Sequence, residues 1–72
     1  MKRIFDGGVY MYDKITINNG NINELCEHLD MNGYCFEQIG QNIYVFNEET
    51  DYVRTILKER GYEYWLNDDL DV

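Results

Sequence analysis

The chain contains no proline and no serine, and from Ile15 through Val53 it contains neither lysine nor arginine. The missing proline removes polyproline ligand segments and Pro-marked linkers. Without serine, and with only Thr16, Thr50, Thr55 and the single His28, the chain has little from which to assemble an oriented nucleophile and base. No apolar run approaches the ~20 residues that span a bilayer, and no basic-plus-apolar leader opens the sequence. The two cysteines, Cys26 and Cys35, are too few for a disulfide framework. The expectation is a cytoplasmic protein with reduced thiols.

Metal and phosphate motifs are absent too. Cys26, His28 and Cys35 show neither CxxC nor HxxxH spacing, and Asp68-Asp69-Leu70-Asp71 lacks the glycine and closing glutamate of a calcium loop. Gly7-Gly8 is not followed by the Lys-Ser/Thr of a phosphate loop. Neither a cofactor, nor a metal, nor an enzymatic activity is expected.

What the chain does have is acid and apolar pattern. Its 72 residues carry 14 Asp+Glu against 6 Lys+Arg, for a net charge of −8, and 44% of them are hydrophobic. That apolar content is enough for a folded domain. The length limits it to one, expected over 1–72, with an N-terminal extension at 1–12, a core at 13–66 and an acidic tail at 67–72.

Asn21 with Glu24 three residues later predicts a helix start, and Ile22, Leu25, Cys26 and Leu29 form its apolar stripe. Gly33 predicts its end. A second helix is expected over about 48–60, beginning near Asn47 or Thr50, with Glu48, Glu49 and Asp51 at its positive end and Val53, Ile56 and Leu57 inward; Gly61 terminates it. Aromatic and β-branched runs predict strands over 10–17, 34–39, 42–46 and 62–66, with a short extra one over 2–5 turned by Asp6-Gly7-Gly8.

An internal repeat orders these elements. A shift of about 28 residues superimposes Ile15, Ile17, Asn19, Leu25, Leu29, Gly33, Tyr34 and Phe36 on Ile43, Val45, Asn47, Val53, Leu57, Gly61, Tyr62 and Tyr64. Each half reads strand, helix, Gly-Tyr, strand. Two such units predict an α+β, ferredoxin-like βαββαβ fold, an antiparallel sheet with two helices on one face. Ile15, Ile17, Ile43, Val45, Phe36 and Tyr64 should face the helices. Thr16, Cys35, Tyr44, Phe46 and Trp65 should face away, on an open sheet surface rimmed by Glu37 and Glu63.

Two surfaces are therefore candidates for partner binding. The first is acidic: Glu24, Glu27 and Asp30 on the outer side of the first helix, with Glu37, Glu48, Glu49, Asp51, Asp68 and Asp69 extending the field. Its carboxylates approximate a row of backbone phosphates, with the competing explanation that they only keep a small domain soluble. The second is the aromatic face of Tyr44, Phe46 and Trp65, either exposed for a partner or covered by the N-terminal segment.

Other families with ferredoxin-like topology are recognised by motifs this chain lacks. RNA-recognition domains have a basic-aromatic consensus, metal chaperones a CxxC loop, and amino-acid-sensing domains a Pro-Gly step where this chain has Asn18-Asn19-Gly20-Asn21. In overall character the chain resembles small acidic phage counter-defence proteins, of the anti-CRISPR or DNA-mimic type. The resemblance spans the composition of the whole chain, with no diagnostic residue, so it transfers no site. It implies a non-catalytic inhibitor that binds a basic nucleic-acid-binding protein, such as a CRISPR effector or other nuclease, in the bacterial cytoplasm. Direct binding to nucleic acid or membrane is not expected, because −8 of net charge repels both. The alternative is a regulatory or ligand-binding domain that dimerises through its open sheet face.

Overall fold

The computed structural model describes residues 11–70. The expected strand over 2–5 and its turn lie outside the described residues. In chain order the elements are β1 (Tyr12–Asn19), α1 (Ile22–Met31), β2 (Phe36–Ile39), β3 (Asn42–Phe46), α2 (Thr50–Glu59), β4 (Glu63–Leu66) and β5 (Asp69–Leu70). The strands form one antiparallel sheet in the order β2-β3-β1-β4-β5. The fold is α+β, with five strands and two helices among the described residues.

The helix ends explain where the neighbouring strands begin. Asn21 caps α1 by accepting from the Glu24 N–H at 3.1 Å. At the other end Gly33 adopts φ 77°, and the Gly33 and Tyr34 N–H groups donate to the carbonyls of Asp30 and Leu29. The α2 terminus repeats this arrangement, with Gly61 at φ 72° and Gly61 and Tyr62 donating to Lys58 and Leu57. Both are Schellman caps. Each tyrosine N–H is thereby committed to its helix, so β2 and β4 start two and one residues later than the aromatic runs suggest. Of the two starts expected for α2, Asn47 and Thr50, the structure takes Thr50, because Asn47–Glu49 winds as a 3-10 turn first. β1 runs on to Asn19, where a bulge after Ile17 allows Asn19 to pair with Glu63.

The internal repeat reappears as strand register. Ile15 and Ile43, equivalent by the shift, lie opposite each other across β1 and β3. The pairs Phe36–Val45 and Gln38–Ile43 have as their counterparts Tyr64–Ile17 and Leu66–Ile15. Alternation then places Ile15, Ile17, Ile43, Val45 and Tyr64 on one face. They form a single buried cluster with Leu25 and Leu29 of α1 and Val53 and Leu57 of α2. Ile22, Cys26, Phe36 and Ile56 pack around its margin.

Tyr62 joins α1 to the β4 side of the sheet. Its hydroxyl donates to the Asn21 carbonyl at 3.1 Å, and a Cβ at Gly20 would meet its ring at 2.5 Å. Gly20 also sits at φ 153°, so both space and backbone conformation require glycine there.

The acidic tail expected from Asn67 onward is corrected by the structure, which folds part of it into a hairpin. Asn67 and Asp68 take φ 50° and 70°, the left-handed pair that a two-residue turn needs to match strand twist, and β5 returns alongside β4. Asn67 holds the turn on the sheet. Its N–H donates to the Lys14 carbonyl at 2.8 Å, and its side-chain oxygen accepts from the Lys14 N–H at 2.9 Å. Its amide nitrogen donates to Asp13 at 2.9 Å, and the other Asp13 oxygen accepts from the Thr50 hydroxyl at 2.6 Å. One carboxylate thus ties β1, the start of α2 and the hairpin together. Asn67→Ala should cost about 1–3 kcal/mol in urea unfolding, from lost hydrogen bonds and a left-handed alanine. Asn67→Gly should recover the conformational part alone. Equal stability of wild type and Asn67→Ala would show that this network is not what anchors the hairpin.

Candidate functional site

α1 presents its outward side chains in one row. Glu24, Glu27 and Asp30 are all exposed, spaced three apart, while Leu25 and Leu29 are fully buried beneath them. The repeat supplies an internal comparison. The equivalent positions on α2 are Tyr52, Thr55 and Lys58, likewise exposed. Identical placement therefore carries acid on one helix and neutral or basic groups on the other.

The row is not uniform. Arg60, at the end of α2, donates to the Glu24 carboxylate at 3.1 Å, so Glu24 does have a cationic neighbour, one that lies 36 residues away in sequence. Among the described residues no ion pair reaches Glu27 or Asp30. Asp30 lies in the last turn of α1, where the helix dipole disfavours a negative charge by about 0.3–1 kcal/mol. Lys58 occupies the equivalent place in α2 and is favoured there. Asp30 is thus in the electrostatically worse position, and helix stability does not account for it. His28, half-buried on α1, is held beside Asn32, which donates to its carbonyl at 2.8 Å.

The remaining acidic candidates scatter. Glu48 and Asp51 are exposed at the start of α2, where negative charge suits the dipole, and Asp51 also meets Arg54 at 3.4 Å. Glu49 is half-buried, with Oε2 shielded from solvent and without a hydrogen bond. Asp68 accepts from the Lys14 ammonium at 2.6 Å, and Asp69 is exposed on β5. The hydrogen bond to Asp68, opposed by partial desolvation and aided by the charges of Asp68 and Tyr44, raises Lys14 above its ordinary 10.5. That stabilisation is present below pH 10.5 and is lost as pH rises through the raised value.

The aromatic face is only partly open. Glu37, expected on its rim, is instead 7% exposed, opposite Tyr44 in the register. Tyr44 and Phe46 are half-buried, and Tyr44 meets Tyr12 edge-on with centroids 5.8 Å apart. At the β4 side the face is open: Trp65 is 39% exposed and its β5 partner Leu70 51%. Leu70 was missed with the tail, and only the turn chemistry of Asn67-Asp68 could have revealed it.

Cys35 precedes β2, off the sheet face; both cysteines are half-buried, and neither forms a disulfide among the described residues. The Cys26 thiol lies 3.4 Å from Gln38 Oε1, and burial pushes it up from its ordinary value. No set of three metal-ligating side chains converges among the described residues. No helix there is long and apolar enough to cross a membrane. The chain matches no protein-family profile, no curated protein and no solved structure.

Proposed function

We propose that this protein is a non-catalytic binder of basic nucleic-acid-handling proteins, and that it inhibits them by occupying the groove that receives the phosphate backbone. The observation that carries this reading is the exposed acidic row of α1, set against its neutral-to-basic counterpart on α2. Glu27 and Asp30 are free of ion pairs among the described residues, and Asp30 opposes its own helix dipole. A charge kept against local stability is available for a partner. A CRISPR effector or other nuclease has the required chemistry, a groove lined with Lys and Arg. This agrees with the resemblance to phage counter-defence proteins and with action in a bacterial cytoplasm. Within this reading the βαββαβ part is a ferredoxin-like scaffold to which β5 is added.

A second reading is favoured by Tyr12, Ile39, Trp65 and Leu70, which leave apolar surface exposed away from the helices. In it the domain is regulatory and pairs with a second copy through this face. Native mass spectrometry separates the two, a monomer supporting the first and a homodimer the second.

The experiment for the first reading is retention of proteins from bacterial extract on immobilised wild-type chain and on a Glu27→Gln/Asp30→Asn variant. Nucleic-acid-binding proteins should be retained by the wild type, released by competing duplex DNA, and largely lost on the variant. The same proteins held equally by both would reject the acidic row.

A further inference from the structure

We infer that the outer face of the β4–β5 hairpin is a second contact surface, which takes an arginine side chain of the partner between Trp65 and the carboxylates of Glu63 and Asp68. The inference rests on the basic partner proposed above, but names a different surface and a specific chemistry.

Trp65 lies in register with Thr16 on one side and Leu70 on the other. Its indole is therefore set on a strand with neighbours on both flanks, beside an exposed leucine. Glu63 is two residues away on the same strand, hence on the same face. It is exposed and accepts from the Asn18 amide, which orients the carboxylate. Asp68 follows in the turn, its side chain 78% exposed although paired with Lys14. The Asn67 network fixes that turn against β1, so Trp65, Glu63 and Asp68 are held on a rigid support.

Charge complementarity selects the occupant. An aromatic face flanked by carboxylates suits a guanidinium, which stacks on indole and binds carboxylate through paired N–H groups. A lysine ammonium gains less, because it cannot stack as a plane or form the same fork. A nucleotide base could stack on Trp65, but its phosphate would meet Glu63, Asp68 and Asp69. A second copy of the chain would bring a net charge of −8 to a surface already acidic.

Trp65 is the only tryptophan, so its fluorescence reports on the site directly. Wild-type protein is titrated with an arginine-rich peptide and with a lysine peptide of equal length and charge. The arginine peptide should produce a saturable change in Trp65 emission at roughly threefold lower concentration than the lysine peptide. Glu63→Gln should weaken it by a similar factor. The Glu27→Gln/Asp30→Asn variant should keep the preference of the Trp65 response for the arginine over the lysine peptide, which separates this surface from the α1 row. Equal titration by the two peptides, or no saturable change, overturns the inference. Saturation by a single-stranded oligonucleotide would overturn it in favour of base stacking. A change driven by protein concentration alone would overturn it in favour of self-association.

Discussion

Replacing Glu24, Glu27 and Asp30 together by Gln, Gln and Asn should weaken partner binding by about a hundredfold or more while moving stability by less than about 1 kcal/mol. The binding side follows from charge desolvated at an interface, where a close pair contributes about 1.5 kcal/mol or more. Three such pairs exceed the ~2.8 kcal/mol that a hundredfold represents. The stability side is a near cancellation. Losing the Glu24–Arg60 pair costs about 0–1 kcal/mol, and Glu24 also forfeits its favourable place at the helix start. Against this, Asp30 leaves the negative end of α1, and two like-charge contacts three residues apart disappear. Calorimetry for binding and urea unfolding for stability measure the two sides separately. A variant that loses binding only by unfolding would show that the row is structural.

The largest stability effect should come from the centre of the sheet. Ile15→Ala is expected to cost about 2–5 kcal/mol. Ile15 is fully buried, with Ile43 and Leu66 directly opposite it on the two flanking strands. Both neighbours are fixed by strand pairing, so little can collapse into the space left behind. A domain of this size has a total stability of about 4–11 kcal/mol, so the variant should lose a large fraction of it. Its urea midpoint should fall sharply with an unchanged slope. A loss below about 1 kcal/mol would place the core elsewhere.

The features behind these two effects differ in how visible they are in the sequence. The shift of about 28 residues identified the inward residues of both halves, and the observed register carries that equivalence through the pairs at the centre of the sheet, up to the bulge after Ile17. The Gly-Tyr steps marked two equivalent helix ends, because a Schellman cap is a local structure written in adjacent residues. The α1 row was legible for the same reason, helical spacing being local.

Long-range contacts were not legible. Nothing in the composition around Glu24 points to Arg60, and nothing near Gly20 announces the Tyr62 ring. Glu37 is expected on the rim because alternation gives a side chain its face but not its burial. The hairpin was obscured by composition. Asp68, Asp69 and Asp71 read as a solvated tail, although Asn67-Asp68 has the side chains that tolerate a left-handed turn. The Asn67 contacts to Lys14 and Asp13 make that turn part of the sheet.

The most direct test of the acidic row as a phosphate mimic is displacement of DNA from the protein that the chain captures. Labelled duplex DNA is bound to that partner, and wild-type chain is titrated in while the released DNA is followed. The row predicts full displacement that weakens with added salt. It also predicts about a hundredfold loss on neutralising Glu24, Glu27 and Asp30, and no change on replacing the exposed Tyr52, Thr55 and Lys58 of α2. Simultaneous binding of DNA and chain to the partner, or equal losses from the two helices, would contradict it.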